Sequence, residues 1–102
     1  MKARWMSKID NKKYEAGIIS KRCGHEVETF IVYSQGFFSM SKKIPVNTCD
    51  INNYEKENKE LLEMSDEDIK EFIISRVESE LKSIKRVNRF GIIKESEVYD
   101  IL

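Results

Sequence analysis

A chain of 102 residues provides one hydrophobic core and therefore one domain, residues 1–102. Its 40% hydrophobic and 35% charged residues are typical of a folded domain with a charged surface, which excludes a disordered chain. Two cysteines are too few for a disulfide framework, and no apolar run approaches the roughly 20 residues of a membrane-spanning helix. These observations predict a cytoplasmic protein with reduced thiols.

The net charge is zero, but the charges are separated along the chain. Residues 1–45 contain nine Lys/Arg against four Asp/Glu, a balance of +5, so residues 46–102 carry −5. Within the second part, residues 50–71 contain nine acids and three lysines, a balance of −6. Such a separation can steer a charged partner toward one side of a domain.

The first 45 residues show the alternation of apolar and polar residues that is typical of β-strands. In chain order, the predicted strands are "ARWMSKI" (3–9), "YEAGIIS" (14–20), "EVETFIVYS" (26–34) and "FFSMSKKI" (37–44). The turn signal "DNKK" separates the first two strands. Pro45 is expected to end pairing in the last strand, because proline has no N–H to donate. The pattern predicts an antiparallel meander of three or four strands.

The segment "KRCGHE" connects the two strongest strands and contains the only histidine, His25. Gly24 supplies the positive φ that a tight hairpin needs. With Cys49 as a third ligand, Cys23 and His25 would be the candidate metal site, but they are too close in sequence for the usual zinc spacing. We therefore expect a hairpin turn, with no metal and no cofactor.

The second half of the chain is predicted to be helical. Residues 46–64 are expected to form a polar connector with a short helix from Tyr54 onward. A long helix follows over residues 65–90, with Ser65 as its N-cap and acidic residues in its first turn. Its apolar residues recur at spacings of three and four and are expected to face the sheet: Ile69, Phe72, Ile73, Val77, Leu81 and Ile84. Ile74 lies off this stripe and widens the apolar face.

The remaining residues, 91–102, are predicted to form a short C-terminal element, either a capped helix or an edge strand. The fold class that follows is α+β. It consists of an antiparallel three- to four-stranded meander, one long amphipathic helix packed on the sheet, and the short C-terminal element.

The sequence favours a protein that is not an enzyme. His25 is the only candidate base for nucleophilic catalysis, and it lies in the predicted turn beside Cys23. No phosphate-binding glycine loop, nucleophile elbow or zinc-protease motif is present in the chain.

The favoured function is protein binding, as a small adaptor or inhibitor. The predicted sheet has apolar residues on both faces and one helix covers one face, so the C-terminal tail, a second copy of the chain or a partner is expected on the other. The composition, rich in Lys, Ile, Asn and Glu, is common among accessory proteins of phages and mobile elements. The candidate partner-binding residues are Trp5, Phe30, Val32, Phe37, Asp50, Tyr54 and Glu57.

Nucleic-acid binding is the alternative. Aromatic and cationic residues interleave in residues 1–45, as in sheets that stack bases and hold phosphates. The candidate nucleic-acid-binding residues are Lys12, Lys13, Lys21, Arg22, Lys42, Lys43, Lys85 and Arg89. The zero net charge makes this alternative the weaker one, because such domains are usually basic.

Overall fold

A computed structural model of the chain describes residues 2–36 and 41–89, and side chains up to residue 84. The strands are β1 (Lys2–Met6), β2 (Lys13–Cys23), β3 (Glu26–Gln35) and β4 (Lys42–Asp50). A 3-10 helix (Ile51–Asn53) and three α-helices follow, α1 (Tyr54–Glu57), α2 (Lys59–Glu63) and α3 (Asp66–Arg89). The predicted C-terminal element, 91–102, and the beginning of the fourth predicted strand, 37–40, lie outside the described residues.

The four strands form one antiparallel sheet in the order β1-β2-β3-β4, which confirms the predicted meander and the α+β class. The β2–β3 hairpin closes between the paired residues Cys23 and Glu26, and Gly24 has a φ of 62° there. The β1–β2 connection is held by a hydrogen bond of 2.9 Å from the Ser7 N–H to the Lys12 carbonyl. The Gly24 hairpin lies where the sequence predicts it, whereas β1 ends at Met6, so residues 7–9 of the first predicted strand belong to the connection.

Strand β4 continues to Asp50, beyond the predicted end at residue 44, and the expectation that Pro45 ends its pairing is wrong. Phe30 pairs with Pro45 and Thr29 pairs with Asn47, so Val46 is an extra residue in a β-bulge. Proline is tolerated here because β4 is an edge strand and the bulge absorbs the irregularity. Residues 46–50 therefore belong to the sheet and not to the predicted connector.

The remainder of the predicted connector forms the 3-10 helix, α1 and α2, which confirms a short helix starting at Tyr54. A polar network ties this segment to the sheet. The Tyr54 and Ser20 hydroxyls lie 2.9 Å apart, and Ser20 also bonds the buried Thr29 at 2.9 Å. The Asn47 Nδ2 donates to Oδ1 of the buried Asn58 at 2.7 Å. Hydrogen bonds therefore hold the short helices at this end of the sheet.

Helix α3 packs on the sheet and completes the core. Its N-terminus is capped as predicted, since the Asp68 N–H donates to Ser65 Oγ at 3.2 Å. The buried core consists of Ala3, Tyr14, Ala16, Ile31, Tyr33, Ile44, Ile73 and Val77, with Ile69, Phe72, Ile74 and Leu81 packed against it. Ile84 is half-buried. In the described part of the chain, no helix has the length and apolar character needed to cross a bilayer.

Replacing Ile73 by Ala tests this core. Ile73 is 0% exposed between α3 and the sheet, so Ile73→Ala should lower the free energy of unfolding by about 2–5 kcal/mol. Ile19→Ala removes the same atoms where the residue is 47% exposed, and should cost about 1 kcal/mol or less. Urea denaturation measures both. Equal losses for the two variants would contradict the packing of α3 on the sheet.

Candidate protein-binding site

The sheet has one face covered by the helices and one face, the outer face, directed away from them. Alternation along the strands places Gly17, Ile19, Phe30 and Val32 on the outer face. Phe30 is only 7% exposed, and the Lys43 Nζ lies 4.6 Å from its ring centroid. Of the described residues on this face, the exposed large apolar ones are therefore Ile19 and Met6, rather than the predicted Phe30.

The predicted partner-binding residues do not form one surface. Phe30 and Val32 lie on the outer face, whereas Trp5 lies on the helix-covered face and packs against the core. Of the other predicted partner-binding residues, Asp50 ends β4, and Tyr54 and Glu57 lie in α1. Asp50 caps the 3-10 helix by accepting from the Asn52 N–H at 2.8 Å, Tyr54 bonds Ser20, and Glu57 is exposed. Phe37 lies outside the described residues.

The predicted nucleic-acid-binding residues are also separated. Lys12, Lys13, Lys42 and Lys43 lie at one end of the sheet, and Lys21 and Arg22 lie at the other. Along β2, Lys13 and Lys21 are about 26 Å apart. Lys43 forms an ion pair of 3.2 Å with Glu28. Lys85 and Arg89 lie on the last turns of α3, where side chains are not described.

The two edges of the sheet differ. The β4 edge is interrupted by Pro45 and the bulge at Val46, and the Arg76 Nη2 donates to the Pro45 carbonyl at 3.0 Å. Each of these features opposes the addition of another strand. At the opposite edge, β1 has β2 as its only neighbour among the described strands and contains no proline and no bulge. Within the described residues, β1 is therefore the edge that lacks these obstacles to a further strand.

Strand β1 is joined to helix α3 by one carboxylate. Glu78 Oε1 accepts a hydrogen bond of 2.7 Å from the Trp5 Nε1–H, and Glu78 Oε2 accepts one of 2.9 Å from the Ser7 hydroxyl. Ser7 is fully buried, and its Oγ also accepts the Ile9 N–H at 3.1 Å. We call this arrangement of Trp5, Ser7 and Glu78 the Glu78 clamp. It holds the helix directly beside the edge strand.

Tyr14 supports the clamp from the next strand. Its ring stacks with Trp5 at a centroid distance of 6.0 Å, and its hydroxyl donates to Asp10. Burial, followed by the hydrogen bond to Asp10, raises the pKa of the Tyr14 hydroxyl above its ordinary value. Burial also raises the pKa of Tyr33, whose ring lies 6.4 Å from that of Tyr14. Both hydroxyls therefore keep their protons to a higher pH than an exposed tyrosine does.

A groove of about 590 Å³ lies between the β1 edge and α3. The described residues that line it are Trp5, Met6, Lys8, Ile9, Ile74, Ser75, Glu78, Ser79 and Lys82. The Arg76 side of α3 is directed toward β4, whereas the Ile74 and Glu78 side is directed toward this groove. We call it the β1 groove. In the sequence, only the displacement of Ile74 from the apolar stripe indicated such a second surface.

The outer side of β1 is cationic. Lys2 and Arg4 form ion pairs with the same carboxylate, Glu15, at 3.0 and 3.6 Å. The hydrogen bond from Lys2 lowers the pKa of Glu15, with Arg4 adding to the effect. The Lys2 and Arg4 side chains remain 70% and 76% exposed. Two cations sharing one acid leave a net positive charge along the open edge.

The Cys-Gly-His segment is an exposed hairpin turn. Cys23 and His25 are both exposed, and Cys23 is a free thiol. Over the ranges that the structure describes, no group of three or more His, Cys, Asp or Glu side chains is arranged to hold a metal ion.

Comparison of the chain with protein-family models, with curated proteins and with solved structures finds no match.

Removing the Glu78 carboxylate tests the clamp. Glu78→Ala leaves the Trp5 N–H and the Ser7 hydroxyl without their acceptor and should lower the free energy of unfolding by about 1–3 kcal/mol. The fluorescence of Trp5 should also shift to longer wavelength as the indole gains contact with water. Glu71→Ala, at an exposed position on the same helix, is the control and should change neither quantity. An unchanged Trp5 spectrum in Glu78→Ala would contradict the clamp.

The raised pKa of Tyr14 predicts a loss of stability in alkali. The unfolded chain releases the tyrosine proton near pH ~10 and the folded chain only above it, so stability is complete below that pH and declines as pH rises. Tyr14→Phe should be less stable than the wild type at pH 8, because the hydrogen bond to Asp10 is lost. It should also lose less stability between pH 8 and 11. Urea midpoints across this range measure both effects, and an unchanged alkaline slope would contradict the assignment.

Proposed function

We propose that this protein is a non-catalytic, cytoplasmic protein-binding module that acts as an adaptor or inhibitor and binds an extended segment of its partner at the β1 edge. The observation that carries the proposal is the difference between the two sheet edges. Three features obstruct the β4 edge, at Pro45, Val46 and Arg76, and the described structure has none of them at β1.

Strand addition is a common mode of peptide recognition. The main chain of the incoming segment supplies hydrogen bonds to the open edge, and pockets beside the edge select its alternate side chains. β1 offers both elements, since its five residues form an edge strand among the described strands and the β1 groove lies directly alongside.

The Glu78 clamp supports the same proposal. A docking edge has to hold its shape when the partner is absent, because ordering a loose strand on binding costs free energy. Trp5 and Ser7 are fixed to α3 through Glu78, and Trp5 is also stacked on Tyr14. The edge is therefore organised before a partner arrives.

The nucleic-acid alternative stays a prediction. Its cations are divided between the two ends of the sheet, and one of them, Lys43, is paired with Glu28. Nucleic-acid-binding domains typically gather their cations in one basic patch or stripe.

Site-specific photocrosslinking tests the proposal. p-Benzoylphenylalanine replaces Lys2 at the β1 edge or, as the matched control, Thr48 on β4, and both positions are exposed. Full-length protein carrying each probe is irradiated in lysate of the source cells, with and without nuclease. We expect a discrete protein adduct from position 2, insensitive to nuclease, and none from position 48. Adducts from position 48 alone would contradict binding at β1. Nuclease-sensitive adducts would favour the nucleic-acid alternative.

A further inference from the structure

We propose that the segment bound at β1 alternates acidic and apolar residues, with its acidic side chains over Lys2 and Arg4 and its apolar side chains in the β1 groove. This inference rests on the proposed function, because it assumes that the partner adds a strand to β1. It names the chemistry of that strand.

The alternation follows from strand geometry. Successive side chains of a strand point to opposite sides of the sheet, so a strand added to β1 presents one set on each side. On the outer side, the set lies beside Lys2 and Arg4. On the other side, it lies over the groove between Trp5 and Ile74. The two sides of β1 therefore select different residue types.

The β1 groove selects apolar side chains. Trp5, Ile9 and Ile74 contribute apolar surface to its lining. Glu78 also lines the groove, but both of its carboxylate oxygens already accept hydrogen bonds from β1 and the residue after it. Lys8 and Lys82 are exposed cations at the same groove and would repel a basic segment. Apolar residues flanked by acids are therefore favoured.

The outer side of β1 selects acidic side chains. Lys2 and Arg4 share Glu15 and remain largely exposed, so each can donate hydrogen bonds to a further carboxylate. Opposite charges directly across two neighbouring strands are favourable, and like charges are unfavourable. Arg4 can bind a carboxylate through two parallel N–H donors.

The same charges disfavour a second copy of the chain as the occupant. Two β1 strands related by a twofold axis overlap most when Arg4 lies opposite Arg4 of the second copy. Lys2 of each copy then lies diagonally next to that pair. Like charges at the centre of the contact oppose this dimer. A different protein with acidic residues avoids the repulsion.

Binding of synthetic peptides to the full-length protein tests the inference. The probe is a capped heptapeptide of alternating Glu and Leu. The comparisons are the alternating Lys and Leu heptapeptide and a heptapeptide with the Glu and Leu of the probe in two blocks. The fluorescence of Trp5, the chain's single tryptophan, and calorimetry report binding. We expect the Glu/Leu probe to bind at least about tenfold more tightly than either comparison peptide. Equal affinities, or no binding of any peptide, would overturn the inference.

Two pairs of variants assign the contacts. Arg4→Glu should reverse the preference between the Glu/Leu and Lys/Leu peptides. Lys21→Glu, which also replaces a cation by an acid but at the far end of the sheet, should not. Ser79→Tyr should block the β1 groove and weaken binding of the probe by about tenfold. Ser83→Tyr, at another exposed position of α3, should bind like the wild type. Unchanged binding in both Arg4→Glu and Ser79→Tyr would contradict the assignment.

Backbone methylation separates this inference from the proposed function. Amides of alternate residues in a strand point to the same edge, so only one set reaches β1. The probe is made in two forms, with N-methyl groups on the Leu residues or on the inner Glu residues. Strand addition predicts that one form loses binding and the other keeps it. If both methylated forms still bind and the Glu/Leu peptide is still preferred over the Lys/Leu peptide, the preference for acidic and apolar residues is supported and strand addition is wrong. If position 2 crosslinks to a partner but no peptide binds, only the inference fails.

Discussion

The two hydrogen bonds accepted by Glu78 fix helix α3 beside the first strand, and the candidate site depends on them. A partly buried carboxylate needs donors, and here Trp5 and Ser7 supply one each, at 2.7 and 2.9 Å. Trp5 also stacks on Tyr14, so the helix, the edge strand and its neighbour are joined in one unit. Because this unit is fixed, the space between β1 and α3 persists as an ordered groove.

The position of α3 also explains why the two edges of the sheet differ. One side of the helix reaches β4, where Arg76 bonds the Pro45 carbonyl at 3.0 Å and obstructs an edge already interrupted by a bulge. The other side carries Ile74 and Glu78 and borders the β1 groove. The same helix therefore obstructs one edge and forms the β1 groove beside the other. This links core packing to the proposed recognition of an extended partner segment.

Local patterns predicted most of the fold, because alternation, turn residues and helix caps are determined by neighbouring residues. Strands β2 and β3, the Gly24 hairpin and the Ser65 cap are found where expected. The continuation of β4 past Pro45 was missed, since tolerance of proline depends on the strand's place in the sheet. The candidate site was also largely missed, because it depends on contacts between residues that are far apart in the sequence. The Trp5–Glu78 contact joins residues 73 positions apart, which no local pattern reveals.

Amide hydrogen exchange of the full-length protein, alone and saturated with the alternating Glu/Leu heptapeptide, tests the central claim most directly. Strand addition buries and bonds the outward amides of Lys2–Met6, so their exchange should slow by about tenfold or more while the amides of Lys42–Asp50 are unchanged. Protection confined to Lys42–Asp50, or slower exchange nowhere in β1 despite measured binding, would contradict the claim that β1 is the docking edge.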